Sequence, residues 1–306
     1  MGKLERFARR VFAFPKKPSH EKLSSYASRW GRWFPGIPAP IRLPVGAWWL
    51  MDRDYIGECL ENGGYENEER MFIQRFVKPG MMVIDIGAHR GFHTLLFSKM
   101  VRNTGRVLSF EPSAGNISRL KLHLKINFCR NVEIKECALG KDAGVRNLYV
   151  VPSQTVLNSL RPPDTNYASS ATPVQVQKLD DVLSGEKIGK VDFIKLDVEG
   201  GELDALLGAD HLLRRVPRPV ILCEVLEKLT RPWGYSSRFI IEHLVQRDFT
   251  WFRLNATADL LPLQVDEPEY NGNFVAVPRE SLPAVEHLRA PADKSLWTVV
   301  PCGDRP

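Results

Sequence analysis

Three short stretches of this 306-residue chain contain residues that could do chemistry. The first covers residues 81–91, where an apolar, β-branched half is followed by two glycines. This order predicts a buried strand, a tight turn and the start of a helix. Glycine lets a ligand approach the backbone, a helix N-terminus offers free N–H groups, and a carboxylate can accept hydrogen bonds. The stretch is typical of a binding site for a nucleoside ligand. Its candidate binding residues are Asp85, Gly87, Ala88 and Gly91.

The second stretch supplies a further acid, Glu111, at the end of a predicted strand over residues 106–112. It follows the glycine turn by about 20 residues, where a carboxylate in a doubly wound fold can accept hydrogen bonds from both ribose hydroxyls. A third predicted strand ends at Cys137 and Ala138, which would flank an adenine ring. Ile86 stands where the dinucleotide fingerprint Gly-x-Gly-x-x-Gly needs its first glycine, which disfavours a nicotinamide or flavin enzyme.

Asp197 and Glu199 form the third stretch, at the end of a predicted buried strand over residues 191–200. Ligands of open α/β sheets bind beyond the carboxyl ends of the strands, and two acids two residues apart could face one cleft. Either acid is a candidate general base, and Asp197 is also a candidate contact for the nucleoside ligand. The alternative is that they cap the next helix or pair with Lys195.

Two further residues, His93 and Glu224, are candidates for the same site. His93 lies in the first helical turn after the glycines and is a second candidate base, although a lone histidine on a helix is more often a core-edge residue. Glu224 ends the next predicted strand and could join Asp197 and Glu199 around a divalent ion. Carboxylates alone suit magnesium or manganese, but no spacing in the sequence requires a metal, so we predict none.

The surrounding pattern alternates predicted strands and helices, which favours a doubly wound, mostly parallel α/β sheet. Helices are predicted over residues 65–77, 92–100, 113–127, 202–215 and 240–246. Two predicted strands over residues 145–151 and 174–178 interrupt the alternation as a β-hairpin insertion. The polar residues 152–173 between them have the features of a mobile loop that could close over a substrate.

The net charge of +6 is concentrated in the first 32 residues, which hold nine Lys or Arg against two Glu. Leu4, Phe7, Val11 and Phe14 recur there at helical spacing and could form an amphipathic helix on an anionic membrane. A solvated tail or a helix packed on the main domain is the commoner outcome for such a leader. Residues 30–49 are rich in Pro, Gly and Trp, which predicts an irregular lead-in.

The five cysteines are odd in number and include no Cys-x-x-Cys pair, which argues against a disulfide framework or a thiolate zinc site. No apolar run reaches the roughly 18 to 20 residues of a membrane-spanning helix, and none at the start resembles a secretory signal. The expected compartment is the cytoplasm, with contact to a membrane surface through the leader as the alternative.

Several motifs in this order resemble the FkbM-type methyltransferases. The resemblance covers roughly residues 65–278, and it departs from the family at His89 and Arg90, where Asn followed by an aliphatic residue is more common. The departure places a positive charge beside the glycine turn. The matching motifs are a helix that starts at Tyr65-Glu66, Val83 to Gly91, Phe110-Glu111-Pro112, Leu179 to Leu183, and Asp192 to Glu202.

The resemblance implies a class I, Rossmann-like fold with a seven-stranded sheet over residues 65–306, preceded by a basic, Pro/Trp-rich extension over residues 1–64. It implies S-adenosyl-L-methionine as methyl donor and O-methylation of a hydroxyl on a sugar, glycan or secondary metabolite. We expect no nucleic-acid partner, because base-amino methylases carry an Asn-Pro-Pro-aromatic motif that is missing here. A nucleic-acid methyltransferase and a non-catalytic S-adenosylmethionine binder are the competing interpretations.

Overall fold

The computed structural model describes residues 20–162 and 166–290. Its strands are β1 (Ala39–Arg42), β2 (Trp48–Met51), β3 (Met82–Ile86), β4 (Arg106–Phe110), β5 (Val132–Lys135), β6 (Ala138–Leu139), β7 (Gly144–Val150), β8 (Ser170–Gln177), β9 (Phe193–Leu196), β10 (Val220–Leu226), β11 (Phe249–Leu254), β12 (Leu260–Pro262) and β13 (Asn271–Pro278). Its α-helices are α1 (His20–Trp33), α2 (Tyr55–Glu61), α3 (Asn67–Phe76), α4 (Phe92–Val101), α5 (Ala114–Ile126), α6 (Leu179–Gly185), α7 (Glu202–Leu207), α8 (Asp210–Arg214), α9 (Glu227–Thr230), α10 (Arg238–Val245) and α11 (Leu282–Val285).

The main sheet has eight strands in the order β12-β11-β13-β10-β9-β3-β4-β5. The strands from β10 to β5 are parallel, whereas β13 runs antiparallel to both β10 and β11. This confirms the predicted doubly wound α/β class and adds antiparallel pairing at one edge. The sheet has one strand more than the seven expected, because the three-residue β12 pairs with the end of β11 and is too short to show a period in sequence.

The central strands β3 and β9 are buried on both faces, which explains their near-continuous apolar sequences. Side chains alternate between the faces, so Ile84 and Ile194 pack in one core layer while Val83 and Phe193 pack in the other. The register places Asp85 directly opposite Lys195. The alternation therefore sends this acid and this lysine to the same face of the sheet, on the side of α3 and α4.

The β-hairpin insertion is present as the antiparallel pair β7–β8, to which β6 adds a third strand. A 3₁₀ turn over Thr155–Leu157 lies in the segment between β7 and β8. Ser159 forms a backbone bridge with Tyr149 of β7, so part of this segment is tied back to its own hairpin. The segment lies over the carboxyl end of the main sheet, through contacts described below.

The prediction of an irregular lead-in over residues 30–49 was wrong. Helix α1 continues to Trp33, and β1 pairs with β2 in a small antiparallel sheet. Trp49 of β2 is buried and stacks on His123 of α5, with ring centroids 4.1 Å apart. The dense Pro and Gly hid the period-two pattern of this hairpin, whose inward side chains cover the core at Phe92 and Leu95.

No helix in the described ranges is long and apolar enough to cross a membrane. The predicted amphipathic helix over residues 4–14 lies outside the residues that the structure describes, as does Cys302. The other four cysteines are free thiols.

Candidate functional site

A cavity of about 950 Å³, counting its open mouth, lies beyond the carboxyl ends of β3, β4 and β9. This is the place where doubly wound sheets bind ligands, and the volume suits a nucleoside-sized molecule. The structure brings most of the predicted site residues to this cavity. Those that line it are Asp85, Gly87, Ala88, His93, Glu111, Cys137, Ala138, Asp197 and Glu199.

Asp85 is almost completely buried at the end of β3. Its Oδ2 accepts a hydrogen bond from the Thr94 hydroxyl of α4 (2.5 Å), and Lys195 lies beside it on β9. Burial raises the pKa of Asp85 to about 6, although Lys195 and the Thr94 hydrogen bond oppose the rise. The carboxylate is therefore held in place at the base of the cavity, next to a buried cation.

Glu111 is buried at the end of β4 and is oriented by three donors. The backbone N–H of His89 donates to Oε2 (2.8 Å), and the backbone N–H of Ser113 (2.8 Å) and the Asn116 amide (3.3 Å) donate to Oε1. Burial raises its pKa to about 7 in spite of these hydrogen bonds. Each oxygen retains acceptor capacity, so the carboxylate can accept two hydroxyl hydrogens from a ligand.

Backbone conformation explains why the turn after β3 needs a glycine at position 87. Gly87 has a φ of +84°, and a Cβ on it would lie 1.7 Å from the carbonyl oxygen of Asp197. The requirement for glycine thus comes from contact with the neighbouring strand end as well as from the turn. His89 also adopts a left-handed conformation, with a φ of +51°, a region that Asn tolerates better than most residues.

Arg90 does not leave a free positive charge beside the turn. Its guanidinium pairs with Asp52 (2.8 Å) and Asp54 (2.6 Å), which lie between β2 and α2, and also donates to Thr155 (2.8 Å). Thr155 Oγ1 lies 2.9 Å from His89 Nε2 as well. Through these contacts the N-terminal elements and the insertion segment both meet at the glycine turn. Sequence reasoning missed them because the partners are 36 to 66 residues apart.

Lys195 is the central cation of the site. It is 4% exposed, and its Nζ lies 2.6 Å from Asp197 Oδ2 and 3.9 Å from Glu66 Oε2. Burial works against its charge, but Asp197, Glu66 and Asp85 outweigh burial and raise the pKa of Lys195. The pairing of Asp197 with Lys195 that the sequence left open is therefore present, and it leaves Asp197 Oδ1 available.

His93 lies on α4 at the wall of the cavity, in contact with Tyr65 and Phe92. Its Nε2 is 3.3 Å from Glu66 Oε2. Burial lowers the pKa of His93 well below its ordinary value, so the imidazole is neutral. A neutral, buried histidine surrounded by aromatic rings fits the core-edge interpretation better than that of a principal base.

Three carboxylates meet at the ends of β9 and β10. One oxygen each from Asp197, Glu199 and Glu224 can be chosen so that all three lie within 4.8 Å of one another. Glu199 is held with a φ of +56° by its neighbours, because Glu202 accepts hydrogen bonds from the N–H groups of Val198 (2.9 Å) and Gly200 (3.2 Å). Glu202, the last acid of the motif, therefore positions the loop that contains Glu199.

Two buried donors in the wall of the cavity point to a ligand that has acceptor atoms. Within the described part of the chain, Asn158 Nδ2 and Trp233 Nε1 have no hydrogen-bond partner. Buried polar atoms almost always have a partner, so these two donors are available to a molecule bound in the cavity. Both come from segments for which the sequence offered no chemical motif.

Comparisons of the sequence with known proteins point to the same family. The model of the methyltransferase FkbM domain matches residues 85–251. "Methyltransferase 1" of Beauveria bassiana (strain ARSEF 2860) is 26% identical over 146 residues, 42% of this chain and 58% of the relative. "31-O-demethyl-FK506 methyltransferase FkbM" of Streptomyces tacrolimicus is 23% identical over 164 residues, 44% of this chain and 61% of the relative.

Among solved structures, methyltransferase FkbM from Methylobacillus flagellatus KT superposes with a TM-score of 0.41 at 19% identity, covering 65% of this chain and 44% of that one. The aligned regions span 58% and 61% of the length of the two relatives named above. The family model covers more than half of the chain and contains every motif residue from Asp85 to Glu224. This protein therefore belongs to the FkbM methyltransferase domain family.

Proposed function

We propose that this chain transfers a methyl group from S-adenosyl-L-methionine to a hydroxyl oxygen of a small secondary metabolite or a sugar. The observation that supports it most directly is the pair of buried carboxylates, Asp85 and Glu111, at the ends of adjacent strands on either side of the glycine turn. The family match supports methyl transfer, and one relative is named for an O-demethylated acceptor.

The chain's own residues fit a nucleoside donor. Glu111 has acceptor capacity for two ribose hydroxyls, and Cys137 and Ala138 supply a small, apolar wall in the same cavity for adenine. The acidic groups Asp85, Glu66 and Asp197 outnumber the one buried cation among them, Lys195, so this end of the cavity favours a positively charged ligand. When bound, the donor supplies an electrophilic methyl group on a sulfonium sulfur.

We assign the acceptor to the side of the cavity formed by Asp197, Glu199 and Trp233. There the protein has to align the acceptor oxygen with the methyl carbon and exclude water. As the oxygen–carbon bond forms, the carbon–sulfur bond breaks with its electron pair going to sulfur, and the hydroxyl proton passes to a carboxylate. Asp197 or Glu199 takes this proton in our proposal, with His93 as the weaker candidate.

Titration of the full chain with S-adenosyl-L-methionine tests donor binding. We expect Glu111→Gln and Asp85→Asn each to weaken binding at least about tenfold, which corresponds to roughly 1.4 kcal/mol. Glu136→Gln, an exposed acid paired with Lys121, is the matched control and should bind as the unchanged protein does. Unchanged affinity in both site variants would contradict the assigned donor site.

Incubation of the protein and methyl-labelled donor with a panel of hydroxylated acceptors, followed by mass spectrometry, tests transfer. We expect a product whose mass rises by one methylene unit plus the isotopic label, and a much slower reaction with Asp197→Asn at saturating donor. Full activity of Asp197→Asn would exclude it as the base. Donor binding without turnover across the panel would favour a non-catalytic binder.

A further inference from the structure

The three carboxylates at the ends of β9 and β10 form an arrangement that donor binding does not require. We call Asp197, Glu199 and Glu224 the carboxylate cluster. One oxygen from each residue lies within 4.8 Å of one oxygen from each of the other two. Like charges this close repel, so the three groups can all be ionised together only with a positive partner among them.

A separate observation at Glu224 indicates that this partner is a ligand. Glu224 Oε2 is shielded from solvent, yet it accepts no hydrogen bond from any described residue. Neither Glu199 nor Glu224 forms an ion pair within residues 20–162 and 166–290, and the salt bridge of Asp197 to Lys195 uses Oδ2. A buried carboxylate oxygen without a donor is costly unless something else occupies the position facing it.

The cluster is also held in place before any ligand arrives. Glu202 fixes the backbone at Val198 and Gly200, and the Ser159 hydroxyl donates to the Glu199 carbonyl (2.8 Å). Glu224 is paired with Asn273 of β13, and the preceding residue of β10, Cys223, is also paired with β9. Rigid strand ends of this kind hold ligand atoms more accurately than flexible loops do.

We propose that Asp197, Glu199 and Glu224 bind a divalent cation of the oxygen-preferring class. An all-carboxylate donor set suits Mg²⁺, Mn²⁺ or Ca²⁺ and does not suit softer metals. Two ligand oxygens on opposite sides of such an ion lie roughly 4.2 Å apart for Mg²⁺ and about 4.6 to 5.2 Å apart for Ca²⁺. The 4.8 Å limit on the cluster is of the same order.

The role of this cation rests on the proposed function, whereas its binding does not. Three carboxylate ligands leave coordination positions for an acceptor oxygen and water. A hydroxyl bound to a divalent cation loses its proton more readily, and a carboxylate that binds the ion through one oxygen can take that proton on its other oxygen. The cluster would then select acceptors that present an oxygen, rather than a bulky apolar group, to the ends of β9 and β10.

Binding of Mn²⁺ to the full-length chain, followed by electron paramagnetic resonance and by calorimetry, tests the proposal without any need for turnover. We expect one Mn²⁺ per chain with a Kd below about 1 mM. Glu224→Gln and Glu199→Gln each keep the shape of the side chain and should raise that Kd at least about tenfold. Glu242→Gln, on the exposed face of α10, is the matched control and should leave it unchanged.

Two results would overturn the proposal: no stoichiometric Mn²⁺ binding to the unchanged protein, or equal binding by both site variants. Titration of the same samples with S-adenosyl-L-methionine without metal shows that each variant is folded and keeps its donor site. Donor binding without Mn²⁺ binding would reject the cation site alone. Mn²⁺ binding without donor binding would reject the proposed function and leave the cation site standing.

Discussion

Burial decides the protonation behaviour of the residues around the cavity. Asp85, Glu111 and Glu202 are all nearly inaccessible to solvent, and burial raises the pKa of each towards neutrality. Each of the three carboxyl groups accepts at least one hydrogen bond from the chain, which fixes its orientation. Lys195 keeps its charge by the opposite balance, in which neighbouring carboxylates outweigh the cost of burial.

His123 provides a pH test at the scale of one residue. Its Nε2 accepts a hydrogen bond from the Leu50 N–H (3.1 Å), and its Nδ1 faces the Arg90 carbonyl (2.7 Å), so the neutral imidazole with its proton on Nδ1 fits both contacts. Burial lowers its pKa from 6.5 to about 4. The folded state disfavours the charged imidazole. Neutral His123 therefore contributes its full stabilisation to the fold above pH 6.5, and this contribution is lost as the pH falls towards 4.

We therefore expect the unchanged protein to have a larger free energy of unfolding in urea than His123→Gln near pH 7. The difference between the two proteins should shrink by on the order of 3 kcal/mol between pH 6.5 and pH 4. Gln can accept the hydrogen bond of the Leu50 N–H and carries no titrating group, so the pH dependence of the difference reports the charge of His123. A difference that stays constant across this range would contradict the assignment.

Among the elements, the strand ends and the segments that pack over them contribute to the site in different ways. Strands β3, β4 and β9 fix the acids, because their registers are set by pairing and by burial of both faces. The segment from β2 to α2 and the 3₁₀ turn at Thr155–Leu157 instead contact the glycine turn from outside. Arg90 is the residue that joins these two segments.

Replacement of Arg90 by Met tests this connection. The change keeps an unbranched apolar stem but removes the guanidinium, which leaves Asp52 and Asp54 without their shared cation and Thr155 without one of its partners. We expect a loss of roughly 2 kcal/mol in the free energy of unfolding and weaker donor binding, because the glycine turn loses its outer support.

A double-mutant cycle with Asp54→Asn separates the ion pair from other effects. If the pair acts as described, the double variant should be less destabilised than the sum of the two single variants. Strict additivity would show that Arg90 acts through other contacts. Replacement of the exposed Arg214, which pairs with Asp210 on the surface of α8, is the control with little expected effect.

For the molecule as a whole, the positions of the strand ends around the cavity could be predicted from sequence better than the segments that pack over them. Strands such as β3 and β9 have a strong local pattern, so the ends at Asp85 and Asp197 could be placed from sequence. The β1–β2 hairpin was hidden by its Pro and Gly content, and the contacts of Arg90 with Asp52 and Thr155 depend on pairing between distant segments. Local periodicity contains no information about such pairs.

Donor binding should stabilise the whole fold, since the cavity is formed by strand ends, the insertion and the N-terminal elements together. At 100 times its Kd a ligand specific for the folded state adds about 2.7 kcal/mol, which raises the melting temperature by roughly 5 °C for a chain of this size. Differential scanning fluorimetry with S-adenosyl-L-methionine measures this shift. Glu111→Gln at the same ligand concentration should show a smaller one, and an equal shift would place the ligand elsewhere.

The close approach of Gly87 to the carbonyl of Asp197 has a consequence for how the family can diversify. The spacing between the ends of β3 and β9 is fixed here by main-chain atoms, which substitution of other side chains leaves untouched. Side chains beyond position 197 can then change while this spacing stays the same. Any residue other than glycine at position 87 would push the two strand ends apart, so we expect the family to vary around position 87 and not at it.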